Sequence, residues 1–272
     1  MKRLLKLELS RSFKNGGFLF ALIVGIAFLQ LITSALPYAL GLDFTMSYGY
    51  PMTHPGWLYS LWLGGDPASM FSYLYFLILP IIAVLPYGDS FFTDAKGGFI
   101  QNLCIRTDRK CYYKAKYLAA FLSGGTAVVL PLILNFVGCA MLFPSMKPEV
   151  TSMTSAIREV SSFPELYYNH PFLYVLLFLA IIFIFSGLLA DFGLVSSYIA
   201  GYRFLVLLAP FILYLFLMAG FNLIGIDSWQ PINFLRPSYD ENAVIPTILE
   251  TVILFLITAF GFMYRGGKGD IY

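Results

Sequence analysis

Charge is what this sequence has least of. Only 12% of its 272 residues are Asp, Glu, Lys or Arg, against roughly 25% in a typical soluble domain. Water is therefore not the main solvent this chain is built for. Histidine is scarce too, with only His54 and His170. Together with three cysteines, Cys104, Cys111 and Cys139, that is too few ligands to expect a structural metal site or a disulfide framework. Cys104 and Cys111 are seven apart and would share a face of one continuous helix, but two thiols do not complete a metal site.

The catalytic signatures are missing as well. A phosphate-binding loop needs spaced glycines followed by Lys and Ser/Thr. The nearest stretch, GFMYRGGKG at 261–269, has neither the spacing nor the hydroxyl. There is no HExxH, no GxSxG, and no pair of carboxylates at helical spacing within an apolar run. No catalytic residue is assigned, and the chain is not expected to be an enzyme. Nor is there a low-complexity segment or a clear internal repeat, so an inverted-repeat carrier gains no support.

What the chain has is long apolar runs. Residues 17–40, 68–87, 117–143, 171–190, 204–223 and 244–264 are each close to the ~20 residues that cross a bilayer as a helix. The expectation is a single all-α transmembrane domain of six spans over 1–272. Pro80 and Pro86 should kink the second span near one end. Charge then orients it. Of seventeen Lys and Arg, fourteen fall in the segments 1–16, 88–116, 191–203 and 265–272, and three (Lys147, Arg158, Arg236) in the alternate segments. By the positive-inside rule both termini face the cytosol of a multi-pass plasma-membrane protein.

Residues 1–16 carry five basic residues against one acid, Glu8. Leu5, Leu9 and Phe13 recur every four residues and predict an amphipathic interface helix lying on lipid. In the first outer segment, Tyr48, Tyr50, Trp57, Tyr59 and Trp62 are read as an interfacial aromatic belt rather than a ligand vestibule. The outer segment 144–170 has a candidate short helix at 151–162. Few polar groups enter the spans. Asn135 and Asn222 are read as interhelical hydrogen-bond partners. Glu250, four residues beyond Pro246, either snorkels outward or marks a polar point on a translocation path. Asp191 is expected to pair with Arg203 across a short inner turn.

The stretch that stands apart is 88–116, GDSFFTDAKGGFIQNLCIRTDRKCYYKAK, with six Lys and Arg. It is long for a connection. Gly97–Gly98 permit a sharp backbone change, after which Phe99, Ile100, Leu103 and Cys104 follow helical spacing. A short amphipathic helix beneath the bilayer either rests on lipid or docks in a partner's groove.

Here the sequence resembles the permease subunits of bacterial type-2 ABC transporters. The resemblance rests on an acidic residue (Asp94), a glycine (Gly98), an apolar helix (Phe99 to Ile105), and a basic return (Arg106-Thr107-Asp108-Arg109) leading to Lys116. It departs in having Asp where Glu is usual, in lacking a proline in the return, and in a longer segment 144–170. The resemblance implies a cytosolic coupling helix between spans two and three, with Asp94, Gly98, Phe99, Leu103, Arg106 and Arg109 coupling to an ATPase. It also implies short outer helices before the sixth span. The partners would be cytosolic ATPase subunits and a second permease copy or homologue, within the lipid bilayer, and no nucleic acid. ATP and Mg would bind the ATPase, leaving this chain without a cofactor. The cargo class suggested is a peptide or other amphipathic molecule, for export or self-protection. An ion-coupled secondary transporter and a non-transporting membrane scaffold or sensor are the alternatives.

Overall fold

The structure, a computed structural model, describes residues 2–27, 58–65, 70–104, 108–148, 157 and 160–268. Among these it is helical, with no strand. In chain order the helices are α1 (Lys2–Phe13), α2 (Gly16–Ala27), α3 (Leu58–Leu61), α4 (Met70–Val84), α5 (Ser90–Lys96), α6 (Phe99–Cys104), α7 (Arg109–Leu142), α8 (Pro164–Asn169), α9 (Pro171–Ser196), α10 (Arg203–Ile224), α11 (Pro231–Phe234) and α12 (Val244–Lys268). A 3-10 turn, Asp227–Trp229, precedes α11. Four helices are long and apolar enough to cross a membrane: α7, α9, α10 and α12. The protein is thus an all-α membrane-embedded chain.

Local chemistry accounts for where these helices begin and end. Asp108 precedes α7 in an extended conformation and its carboxylate accepts from the Lys110 N–H, satisfying one of the orphan donors of a helix start. Helices α8, α9 and α11 all have proline at a first position, where its missing N–H is no loss. Helix α10 ends at Gly225, with φ 76°, the left-handed stop that glycine adopts without strain.

The centre of the fold is the α7–α9 pair. Small residues let the two backbones approach. A Cβ on Gly124 would stand 2.4 Å from the Ala190 Cβ and 2.8 Å from the Ala83 carbonyl oxygen. A Cβ on Gly187 would be 2.8 Å from the Phe121 carbonyl. Close backbone packing of this kind replaces the hydrophobic drive that lipid cannot supply between spans. The outer faces are apolar and open: Leu134, Val137 and Met141 on α7, Phe216 on α10, and Ile248, Val252 and Phe255 on α12 are all exposed, as lipid contact requires.

Several expectations need adjusting. Helix α7 starts at Arg109, eight residues before the expected third span, and its 34 residues extend about 51 Å at 1.5 Å each. That exceeds the ~30 Å hydrocarbon layer, so its first turns project beyond it. Trp62 and Tyr59 do not form a belt. Trp62 is 1% exposed, with its ring 5.7 Å from Phe136, because the turn after α3 folds back onto α7. Arg203 pairs with Asp89, not with Asp191, because the start of α10 lies against α5. Cys104 and Cys111 belong to different helices. Segment 225–243 holds the 3-10 turn and α11. Residues 28–40 of the expected first span, Tyr48, Tyr50 and Trp57, most of 151–162, and Arg106 lie outside the described residues.

Candidate functional site

Four charged side chains meet, largely out of water, where α1, α5 and α7 converge. Glu8 and Arg11 come from α1, Asp94 from α5, and Lys116 from α7. Glu8 and Lys116 are wholly buried and Asp94 is 4% exposed. Arg11 grips Asp94 with two nitrogens, Nη2 to Oδ1 at 2.7 Å and Nη1 to Oδ2 at 3.2 Å, the bidentate geometry that makes Arg–carboxylate pairs strong. Arg11 Nη1 also donates to Glu8 Oε1 at 3.3 Å. Lys116 bonds Asp94 Oδ2 directly and lies 3.5 Å from Glu8 Oε2. Two tyrosines close the site. Tyr87 donates its hydroxyl to Glu8, and Tyr112 donates to Asp94 Oδ2 at 3.2 Å. The Lys116 ammonium also sits 4.7 Å from the Tyr87 ring centre.

Two positive and two negative groups balance, and each carboxylate is filled with donors. Buried charge is tolerable only in that condition. Burial alone would push the Asp94 carboxyl up, but the hydrogen bonds and charges of Arg11 and Lys116 overturn this and hold it below the usual carboxylate range. Burial works against the charge on Arg11, but its bond to Asp94 and the negative charges of Asp94 and Glu8 raise it above its ordinary value. Tyr87 is pushed up, first by burial and then by the Glu8 charge and hydrogen bond. The group is therefore a fixed ionic knot joining three helices, not an exposed reactive centre.

An aromatic cluster extends it. The Phe91 ring of α5 lies 5.8 Å from Tyr113 of α7, 5.3 Å from Phe262 of α12, and 5.0 Å from Tyr198 just past α9. Helix α5 thus lies against the ends of all four long helices, α10 included. Next to it, Gly98 takes φ 68° with open space around it, a conformation that glycine reaches without strain. This reverses the chain from α5 into α6. On α6, Ile100 is buried against the cluster, Phe99 lies under the Arg11 guanidinium at 4.7 Å, Leu103 is half-buried and Gln101 exposed. Arg109, at the start of α7, lies over the Tyr113 ring at 5.9 Å.

Of the residues expected to couple outward, Asp94 instead faces inward, into the knot. Phe99 packs against Arg11 of the knot, Leu103 against the neighbouring aromatic cluster and Arg109 over Tyr113, while Gly98 forms the turn between α5 and α6. Deeper, Asn135 is buried and its Oδ1 accepts the Leu63 N–H at 2.8 Å, so it joins α7 to the turn after α3. Asn222 is exposed at the end of α10. Glu250 is 9% exposed and borders an apolar cavity of about 170 Å³ with Phe185, Tyr214 and Trp229. Neither of its carboxylate oxygens has a hydrogen-bond partner among the described residues. The same holds for Asp191, wholly buried near the Tyr117 hydroxyl but outside hydrogen-bond geometry; Tyr117 instead meets Thr258 at 3.0 Å.

Glu8, Arg11, Tyr87 and Tyr112 were not singled out by sequence. One signal existed: Glu8 is the only acid in the first forty-two residues, and it shares a helix face with Leu4 and Ser12, which are also buried. The stripe that packs is thus Leu4–Glu8–Ser12, one position round from Leu5, Leu9 and Phe13. Among the described residues no group of three His, Cys, Asp or Glu side chains is placed to hold a metal. No family model, curated protein or solved structure matches the chain.

Proposed function

We propose that this chain is the membrane-spanning permease subunit of an ATP-driven exporter, moved by a separate cytosolic ATPase. The observation that carries the reading is the ionic knot, which ties the α5–Gly98–α6 unit to α1 and to the projecting end of α7. A lever must be stiff to transmit force. Bidentate Arg11–Asp94 contacts, Lys116 and the Phe91 ring cluster supply that stiffness. A push on α6 would shift α7, α9 and α12 as a body, the rigid-body kind of switching. In this reading α6 is the coupling helix between spans two and three, with α2 and α4 belonging to the first and second of six spans. Exposed Gln101 and Lys96, with the half-buried Phe99 and Leu103, offer the contact surface, and Arg109 follows at the start of α7. Asp94 holds the lever from inside rather than touching the ATPase.

The open apolar faces of α10 and α12 suit lipid and a second permease copy around a shared path. Both termini would be cytosolic in the plasma membrane. The ATPase would bind ATP and Mg, and the cargo would be a peptide or another amphipathic molecule. The deciding experiment is expression of the chain together with its flanking genes and a test for copurification of an ATPase, followed by ATPase and transport assays in proteoliposomes. Gln101→Asp and charge reversal at Arg106 and Arg109 should release the ATPase or uncouple hydrolysis from transport. Undiminished assembly and coupling in those variants would overturn the assignment.

One observation favours a second reading. Asp191 and Glu250 are buried carboxyl groups without hydrogen-bond partners among the described residues, the kind of group that carries protons in ion-coupled transporters. Transport driven by an ion gradient without ATP, and lost in Asp191→Asn or Glu250→Gln, would favour it.

A further inference from the structure

A cleft of about 550 Å³ opens beside the ionic knot, walled by the end of α1, the turn from α4 into α5, and the first residue of α10. Its charges can be accounted for one by one. Arg11 is committed to Asp94 and Glu8. Arg203 is committed to Asp89 through Nε alone, and its two terminal nitrogens have no partner among the described residues. Lys14 has no carboxylate within salt-bridge distance among the described residues. The cleft therefore has one positive charge in excess, with free donors on two cations. Ser90, 7% exposed, lines it with a buried hydroxyl that makes no hydrogen bond. A buried polar atom left bare is costly unless something fills the site.

The position says what kind of ligand fits. Asn15, at the elbow, donates to the Pro86 carbonyl at 3.0 Å and so holds the junction of α1 and α2 against the cleft. From this level α2 and α10 both run away as apolar helices. Their first turns expose Leu19, Phe20, Phe204 and Leu205. A polar, singly cationic cleft between the feet of two lipid-facing helices has the layout of an amphiphile: an anionic head below and hydrocarbon above. We propose that the cleft binds the phosphate of an anionic glycerophospholipid, held by Lys14, Arg203 and Ser90, with its acyl chains along α2 and α10. A phosphodiester carries one negative charge, which matches the excess. Such a lipid would clamp the interface helix to the start of α10, and the inference stands whether or not an ATPase binds elsewhere.

The test uses the full chain purified in an uncharged detergent, with native mass spectrometry reading bound lipid. Dioleoylphosphatidylglycerol should be retained as one copy, about tenfold more tightly than dioleoylphosphatidylcholine, as one charged contact would give. The K14Q/R203Q variant should lose about that tenfold preference, and S90A should weaken retention with no change in charge. K2Q/K6Q, which removes the same charge from the exposed face of α1 outside the cleft, should bind as the unaltered chain does. Circular dichroism establishes that each variant is folded; if K14Q/R203Q is not, S90A against K2Q/K6Q carries the comparison. Equal retention of both lipids, or equal loss in K2Q/K6Q, would overturn the site in favour of diffuse attraction. Displacement of the lipid by millimolar inorganic phosphate would assign the cleft to free phosphate and overturn the lipid.

Discussion

Replacing Lys116 by Met tests whether the knot is a single electrostatic unit. The side chain is wholly buried, and Met fills much of its volume. What is lost is one positive charge facing two carboxylates, Asp94 in direct contact and Glu8 Oε2 at 3.5 Å. At an effective dielectric of about 20, unit charges 3.5 Å apart attract by about 5 kcal/mol. Against this stands the several kcal/mol needed to strip water from the ammonium, which Met does not require. Removing one partner of a buried pair leaves the others uncompensated, and the net cost expected is about 3–5 kcal/mol. The informative variant is the double one. In Glu8→Gln/Lys116→Met the remaining Arg11 and Asp94 balance, and Tyr87 still has an amide oxygen to donate to. The double variant should therefore be more stable than the sum of the two single losses by about 1–3 kcal/mol. Unfolding by dodecyl sulfate titration in mixed micelles, followed by circular dichroism, measures all four proteins. A Lys116→Met loss below about 1 kcal/mol, or strict additivity in the double variant, would refute a closed four-charge unit.

Acid should loosen the same site. The folded Asp94 carboxyl titrates below its unfolded value, so its contribution is complete above about pH 4 and is lost as pH falls through the folded pKa. Stability of the unaltered chain and of Asp94→Asn, measured against pH, should converge on the acid side. Gly124→Ala places a methyl 2.4 Å from the Ala190 Cβ and 2.8 Å from a backbone oxygen, and should cost about 1–3 kcal/mol by overpacking. Gly220→Ala, on α10 with nothing within 4 Å, should instead raise stability by about 0.5–1 kcal/mol; thermal unfolding distinguishes the two. If transport is driven by ATP, Asp191→Asn and Glu250→Gln should leave nucleotide-driven uptake into inverted vesicles intact, and its loss would shift the mechanism toward ion coupling.

Apolar runs and turn chemistry were legible in the sequence because each acts locally. The runs at 171–190, 204–223 and 244–264 coincide with candidate spans of the structure, and Gly98 stands where the chain turns left-handed. The start of α7 was not legible. Hydropathy reads RKCYYKAK as a loop, whereas the backbone is helical there because Asp108 caps it and partners on α1 and α5 accept the charge of Lys116. Tyr112 and Lys116 are four apart, and Glu8 and Arg11 three apart, so each pair shares a helix face by spacing alone. That the two faces meet, with Asp94 between them, depends on contacts between residues 79 and 83 positions apart.

Composition by itself settled the solvent: so few charges over so many apolar residues require lipid around helices. Only the tertiary structure decided which of the charges are structural. A glutamate on a basic helix looks like a surface residue until a lysine and a tyrosine from elsewhere in the chain close over it. A charge is affordable inside only when its counter-charge arrives with it, and no local pattern records that arrival.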